Sequence, residues 1–113
     1  MIKRDKLFIN HILDSINAIS NFLGEISKDE LENNRLIQNA VIRELEVIGE
    51  AVKNISDKNK KNHSSIAWKQ IAGMRDKLIH HYFGVDLEII WETIQRDLPE
   101  LRKVLEEMLK DSE

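Results

Sequence analysis

Apolar residues recur along most of the chain at the spacing of α-helices. In the N-terminal part they recur every three or four positions, and this period predicts an amphipathic helix over residues 3–26. A second helix is predicted over residues 28–55, because Ser27 and Glu30 have the spacing of a capping box. The apolar seams are Ile9, Ile12, Ile16, Ile19, Leu23 and Ile26 in the first helix, and Ile37, Val41, Leu45, Ile48, Val52 and Ile55 in the second.

Residues 56–65 interrupt this pattern. They are polar and charged and have no period, which is typical of an exposed loop. A third, shorter helix is predicted to begin at Ile66 or Trp68 and to run to Tyr82, with Gly84 as its C-terminal cap.

Two further helices are predicted in the C-terminal part of the chain. Asp86 is placed to cap a fourth helix, whereas Asp97 and Pro99 mark a break and the start of a fifth helix over residues 98–110. Together these elements predict an all-α fold. We expect an antiparallel bundle of four to five helices that forms a single domain over residues 1–113.

Composition supports a globular helical protein and excludes some kinds of site. Of the 113 residues, 42% are hydrophobic and 33% are charged, a balance too apolar for a disordered chain. The sequence has no cysteine, so disulfides and thiolate metal sites are excluded. Its N-terminal residues resemble neither a signal peptide nor a membrane span, and we therefore expect a cytoplasmic protein with no membrane partner.

The charge of the chain is unevenly distributed. The net charge is −3, but the stretch from Lys58 to Lys77 carries six lysine or arginine side chains and one aspartate, which gives it a charge of +5. Such a local positive surface can attract a polyanion such as RNA, although composition alone favours a simple solvated lysine loop. The candidate residues for steering RNA are Lys58, Lys60, Lys61, Lys69 and Lys77.

The side chains best suited to catalysis or phosphate binding lie within residues 71–86. This segment holds the only tyrosine, Tyr82, and two of the four histidines, and Arg75 precedes His80 by five positions. A histidine can move a proton near neutral pH, and an arginine can bind a phosphate through two hydrogen bonds. RNA carries its own nucleophile, the 2′-hydroxyl, so this pair is sufficient to cleave RNA without a metal ion. By spacing alone, however, the pair is more typical of unrelated residues on a helix surface.

A continuous helix would place these groups awkwardly for a site within one chain. Arg75 and His80 would differ by about 140° around the helix axis. Asp76 and His80 would share a face, so that Asp76 could orient the imidazole ring, and Arg75 would align with Tyr82. We therefore expect the site to lie in a cleft between two copies of the chain.

The surroundings of this segment resemble a known family. The sequence resembles the HepT-like branch of the HEPN superfamily, the toxins of MNT–HEPN toxin–antitoxin modules. The resemblance lies in the run from Trp68 to Asp86, in Trp91, and in residues 97–101 and 39–51. The likeness extends over nearly the whole chain. Its most specific part is the Arg-x4-His-x-Tyr motif within the first of these runs.

The resemblance implies a helical homodimer that acts as a metal-independent endoribonuclease and needs no cofactor. His80 would then be the general base, Arg75 the residue that binds phosphate and stabilises the transition state, and Asp76 a supporting polar neighbour. The resemblance also implies a protein partner, a minimal nucleotidyltransferase antitoxin. This partner would adenylylate Tyr82, and the added charge and bulk would block RNA from the cleft.

The sequence departs from the family pattern at two positions. Ala67 stands where proline is common before the tryptophan, and His81 stands where an acidic or small residue is common. His81 is either a second proton-transfer group or, as we favour, a partly buried bystander. We interpret Glu46 and Glu50 as solvated or as lining a dimer contact, although they could point toward the cleft.

Two other functions fit the same sequence. One is a non-catalytic nucleotide- or RNA-binding subunit of a nucleotidyltransferase complex, which RNA cleavage in the presence of a chelator would exclude. The other is a purely structural helical dimer, which gives no reason for Arg75, His80 and Tyr82 to occur together.

Overall fold

The described part of the chain folds into helices joined by short turns, together with one pair of two-residue strands. The computed structural model describes residues 2–74, 79–80 and 84–111, and it confirms the predicted all-α class. Within the described residues, no helix has both the length and the apolar character needed to cross a membrane. In chain order the elements are α1 (Lys3–Leu23), α2 (Lys28–Glu32), α3 (Arg35–Lys53), α4 (Asp57–Asn62), α5 (Trp68–Ala72), β1 (Ile79–His80), β2 (Gly84–Val85), α6 (Leu87–Glu92), a π-helical turn (Thr93–Asp97) and α7 (Leu98–Asp111).

The core lies along the interface of α1 and α3, the most extensive helix contact of the fold. The predicted seams of both helices face it, except that Ile26 and Ile37 are only partly buried. Burying an isoleucine, leucine or valine side chain stabilises a fold by about 1.5–3 kcal/mol. The fully buried members of the seams are Ile9, Ile12, Val41, Leu45, Ile48 and Val52.

The first helix ends earlier than predicted, at Leu23 rather than at residue 26. Gly24 adopts a positive φ of 53°, and its N–H donates to the carbonyl oxygen of Ser20 at 3.0 Å. Glycine takes this conformation without the steric cost that a Cβ would bring, so the helix terminates here.

The predicted capping box is present, but the predicted helix over residues 28–55 is wrong. Ser27 Oγ accepts a hydrogen bond from the N–H of Glu30 at 3.1 Å and begins α2. That helix ends at Glu32, and Asn34 Oδ1 then accepts from the N–H of Ile37 at 3.1 Å to begin α3. A short polar side chain that caps a second helix so soon therefore divides the segment in two.

The expected loop over residues 56–65 is largely the helix α4, so this expectation is also wrong. Ser56 Oγ accepts from the N–H of Asn59 and caps this helix, and buried Asp5 on α1 accepts from both the N–H and the hydroxyl of Ser56, at 2.9 and 2.6 Å. On the other side, the indole N–H of Trp68 donates to the carbonyl oxygens of Lys60 and His63, at 3.1 and 3.0 Å. These hydrogen bonds fix a segment whose sequence has no apolar period.

The third predicted helix is wrong at residues 79–80. The helix α5 ends at Ala72. Further along the chain, Ile79 and His80 form a strand that pairs antiparallel with Gly84 and Val85. Gly84 is therefore opposite His80 in a strand pair and does not cap a helix. Isoleucine and valine are residue types that are enriched in strands, which agrees with this extended conformation.

The C-terminal part of the chain is helical without the predicted break. Asp86 caps α6 as predicted, since its Oδ1 accepts from the N–H of Ile89 at 3.1 Å. The expectation that Asp97 starts a separate helix is wrong, because the π-helical turn leads directly into α7. Pro99 has no N–H to donate, and a π-helical turn just before it adjusts the hydrogen-bond ladder without ending the helix.

Candidate functional site

The structure describes the surroundings of the predicted site more fully than the motif itself. Arg75, Asp76, Lys77 and Tyr82 lie outside the described residues, as does His81. The backbone of His80 is described, in β1 opposite Gly84. The helical angles expected between Arg75 and His80 do not apply, since His80 is in a strand.

The residues just before the motif in the sequence are held in the core. Trp68, Ile71 and Met74 are buried in the core, and Met74, at 4% exposure, directly precedes Arg75 in the chain. The exposed Gly73 caps the end of α5, and its N–H donates to the carbonyl oxygen of Lys69 at 3.1 Å. The described chain is therefore still in the core at Met74, one position before Arg75 in the sequence.

A cleft of about 590 Å³ opens at this end of α5, between α1, α3 and α5. We call it the α1–α3–α5 cleft. Its volume is within the range of small-molecule sites in proteins, about 300–1,000 Å³. Its lining residues are Phe8 and His11 from α1, Arg43, Glu46, Val47, Gly49, Glu50, Ala51 and Lys53 from α3, Asn54, Lys69 and Ala72 from α5, and Gly73.

Aromatic rings form the α1 side of this cleft. The rings of Phe8 and His11 meet edge to face, with centroids 5.8 Å apart and planes at 86°. The guanidinium carbon of Arg4 lies 5.8 Å from the centroid of the Phe8 ring, and Arg4 also donates to Asn54 Oδ1 at 3.0 Å. Phe8 is therefore held from two sides, while the side chain of His11 is exposed at the cleft.

Both signs of charge line the α3 side. Arg43, Glu46 and Glu50 lie on the face of α3 next to its buried stripe. Lys53 and Glu50 form an ion pair with a distance of 3.1 Å between Nζ and Oε1. Glu46 and Glu50 both line this concave surface, whereas a contact of these residues with a second copy of the chain stays a prediction.

A second concave surface lies along α4 and the start of α5. It has a volume of about 520 Å³ and is open to solvent along α4 and α5. Lys60, Lys61 and Lys69 line it, and Trp68 and Ile66 contribute apolar surface. We call it the α4–α5 depression. Of the lysines predicted to steer RNA, Lys58 is exposed on α4 without lining this depression, and Lys77 lies outside the described residues.

The described part of the chain holds no candidate metal site. Among those residues, His, Asp and Glu side chains form no group of three that could hold a metal ion. Whether the reaction is independent of metal stays a prediction.

Sequence reasoning missed three residues of the cleft: Phe8, His11 and Arg43. The signal was present, since Phe8 and His11 are three positions apart on one face of α1. Arg43, Glu46 and Glu50 are likewise spaced along one face of α3. What the sequence does not contain is the packing of α5 against α3, which turns these two faces into one cleft.

Comparison with known proteins identifies close relatives. The chain matches the family described as Ribonuclease HepT-like over residues 12–108. It is 48% identical over 114 residues to "Putative RNase MJ0125" of Methanocaldococcus jannaschii, covering 100% of the chain and 98% of that protein. It is 43% identical over 109 residues to "Putative RNase TTE0752" of Caldanaerobacter subterraneus subsp. tengcongensis, covering 96% and 97%. It is 42% identical over 110 residues to "Probable ribonuclease HepT" of Thermococcus cleftensis, covering 97% and 100%. No solved structure matches the chain significantly.

Proposed function

The chain belongs to the HepT-like ribonuclease family, and from this we propose that it is a metal-independent endoribonuclease that serves as the toxin of a toxin–antitoxin pair. The observation that carries the proposal is the family match over residues 12–108, which includes the motif of Arg75, His80 and Tyr82. The α1–α3–α5 cleft supports it, because one of its lining residues, Gly73, is two positions before Arg75 in the sequence.

The proposed reaction uses the 2′-hydroxyl of RNA as nucleophile. His80 takes the proton of this hydroxyl, and the 2′-oxygen attacks the adjacent phosphorus. As that bond forms, the bond from phosphorus to the 5′-oxygen of the next nucleotide breaks, and this oxygen takes up a proton. The products are a 2′,3′-cyclic phosphate and a 5′-hydroxyl end. Arg75 binds the phosphate oxygens and stabilises the charge that develops on them, and Asp76 supports the site as a polar neighbour.

We propose that the active form is a homodimer in which both copies contribute Arg75 and His80 to one cleft. The support is the family resemblance, because the argument from helical angles does not hold for a residue in a strand. The substrate is RNA in the cytoplasm, and no cofactor takes part.

The proposed protein partner is a minimal nucleotidyltransferase antitoxin that modifies Tyr82. The phenolic oxygen of Tyr82 attacks the α-phosphorus of ATP, pyrophosphate leaves, and an adenylyl group remains on the tyrosine. The added phosphate is negatively charged and repels the RNA backbone. The adenosine adds bulk to a residue that is two positions from His80 in the sequence.

RNA cleavage by purified variants tests the ribonuclease proposal. We expect His80→Ala and Arg75→Ala each to abolish cleavage in a buffer that contains a chelator, with unchanged helical circular dichroism. The matched control is Arg96→Ala, which removes an exposed arginine on the π-helical turn and should leave cleavage intact. Cleavage that survives in His80→Ala contradicts the mechanism. A wild-type protein that binds RNA without cutting it would instead support the non-catalytic RNA-binding subunit.

A further inference from the structure

We propose that the α1–α3–α5 cleft and the α4–α5 depression form one continuous track for single-stranded RNA, joined at Lys69. The proposal rests on the ribonuclease function proposed above and adds to it the class of substrate, an unpaired RNA segment several nucleotides long. It also adds residues outside the motif that hold this segment.

The link between the two concave surfaces is a single side chain. Lys69 on α5 lines both the cleft and the depression, which otherwise share no lining residue. Its side chain is exposed, so a strand that crosses α5 from one surface to the other passes this ammonium group. One phosphate at Lys69 therefore connects the nucleotides on either side.

On the cleft side, Arg43 and Lys69 are the cations available to RNA, and Glu46 and Glu50 are the acidic side chains of the lining. The ion pairs formed among the described residues join Lys53 to Glu50 and Lys28 to Glu88, and neither includes these two cations. Both side chains are exposed. A guanidinium group matches the geometry of two phosphate oxygens, so Arg43 is well suited to hold a backbone phosphate in the cleft.

The cleft also offers surfaces for a base. The exposed imidazole of His11 and the half-buried ring of Phe8 stand on its α1 side. Proteins that bind single strands combine such rings with cations that follow the backbone, and each stacked base contributes about 1–3 kcal/mol. The volume of about 590 Å³ is large enough for a group of nucleotide size.

On the depression side, two more cations follow Lys69. Lys60 and Lys61 come from α4, and Asp57 is the only acidic side chain among the lining residues. The hydrogen bonds from Trp68 to the carbonyl oxygens of Lys60 and His63 hold this helix against α5. The lysines are therefore presented from a fixed backbone, which lowers the entropy lost when RNA binds.

These features favour a single strand over a duplex. In an A-form duplex the bases are stacked and paired, so that none is free to enter a cleft and lie against the rings of Phe8 and His11. The cleft adjoins Gly73, two residues before Arg75, so the scissile bond belongs at the cleft end of the track. The lysines of the depression then bind nucleotides away from the cut.

The salt dependence of RNA binding tests the track. We would use a fluorescent single-stranded RNA of twelve nucleotides, methylated at every 2′-oxygen so that it cannot be cleaved, and measure its anisotropy between low and moderate salt. Each phosphate contact contributes about 0.7 to the slope of log affinity against log salt. We expect Lys60→Ala/Lys61→Ala to reduce the slope by about 1.4, and Arg43→Ala to reduce it by about 0.7.

The matched control is Lys103→Ala/Lys110→Ala, which removes two exposed lysines of α7. This control should leave the slope unchanged, and a thermal unfolding curve for each variant confirms that it is folded. An equal loss of slope in the control overturns the track, because it indicates unspecific attraction. An unchanged slope in Lys60→Ala/Lys61→Ala also overturns it. A blunt RNA duplex that binds as tightly as the single strand overturns the proposed substrate class.

The outcome also separates this proposal from the ribonuclease function. Because the methylated RNA reports binding alone, a normal salt slope in a protein that never cleaves ordinary RNA would support the track and reject the enzyme. Cleavage by a protein whose variants bind RNA as the wild type does would support the enzyme and reject the track. Cleft variants that bind RNA normally but no longer bind the antitoxin would assign the cleft to that partner.

Discussion

A Cβ added to Gly49 would lie 3.2 Å from the carbonyl oxygen of Ile71, so α3 and α5 approach one another here more closely than most side chains would allow. The carbonyl oxygen of Ala72 would be 3.3 Å from the same atom. Gly49 itself is buried and lines the α1–α3–α5 cleft. This contact therefore sets how closely α5, the helix that precedes Arg75 in the sequence, packs on α3.

Replacing Gly49 with alanine should move α5 away from α3. Because the atoms that meet the new methyl group are backbone oxygens, they cannot rotate away, and overpacking of this kind costs about 1–3 kcal/mol. We expect Gly49→Ala to lower the free energy of unfolding by this amount, measured by urea denaturation, and to slow RNA cleavage.

Gly73→Ala is the matched control for this change. There the nearest atom to an added Cβ is the carbonyl oxygen of Lys69 at 3.6 Å, an ordinary contact. We expect its free energy of unfolding to change by less than that of Gly49→Ala. Equal stability of Gly49→Ala and the wild type would show that α5 is not held by close packing on α3.

The apolar period predicted the helices that bury a continuous stripe, and it failed where other interactions decide the structure. The seams of α1 and α3 are buried as expected. The break between α2 and α3 depends on the cap at Asn34, which the sequence shows as an Asn-Asn pair inside an otherwise helical pattern. Similarly, α4 exists because Ser56 caps it and Trp68 binds its carbonyl oxygens, and no local period records those contacts.

In the candidate site, too, local features could be predicted from the sequence and long-range contacts could not. Local sequence identified the motif, but helical extrapolation from Trp68 failed at His80, where pairing with Gly84 overrides the local pattern. The cleft joins residues of α1, α3 and α5 that are far apart in the sequence. A single sequence contains no signal for such long-range packing, so Phe8, His11 and Arg43 became visible only in the structure.

Asp5 should make the stability of the fold depend on pH in the acid range. Its carboxylate is fully buried and accepts hydrogen bonds from Ser56 and Asn59. Burial by itself would raise the pKa of Asp5, but these hydrogen bonds and the nearby charge of Arg4 outweigh burial and lower the pKa below its ordinary value of 3.8. A lowered pKa means that the unfolded chain binds the proton more tightly than the native one.

The carboxylate of Asp5 therefore stabilises the native state fully above pH 3.8, and this contribution is lost as the pH falls through the lower, native pKa. We expect Asp5→Asn to lower the free energy of unfolding by roughly 1.5–3 kcal/mol at neutral pH, the value of hydrogen bonds to a charged group. Urea denaturation at several pH values should show this difference shrinking below pH 3.8. The control is Asp14→Asn, an exposed position on α1. A difference that stays constant down to the lowest pH would exclude the carboxylate of Asp5 as its source.

Mixed dimers can show whether one site uses residues from two copies of the chain. Arg75→Ala and His80→Ala, each expected to be inactive alone, would be co-expressed with different affinity tags and purified on both tags in succession. In such a mixed dimer one copy supplies Arg75 and the other supplies His80, so a shared cleft should regain RNA cleavage. A doubly tagged dimer of His80→Ala with itself is the control. If the mixed dimer stays inactive while a doubly tagged wild-type dimer cuts RNA, Arg75 of one copy and His80 of the other are not sufficient for cleavage.

Tyr82 should carry the modification that switches off the ribonuclease. Co-expression with the proposed nucleotidyltransferase partner should increase the intact mass of the protein by one or more adenylyl groups and abolish RNA cleavage, because an adenylyl phosphate adds negative charge where RNA must bind. Tyr82→Phe removes the acceptor oxygen, so we expect it to keep its unmodified mass and to cleave RNA even when the partner is present. Ribonuclease activity and intact mass would be measured on the same preparations. Added mass that persists in Tyr82→Phe would place the modification on another residue, whereas a modified wild-type protein that still cuts RNA would show that adenylylation does not block the cleft.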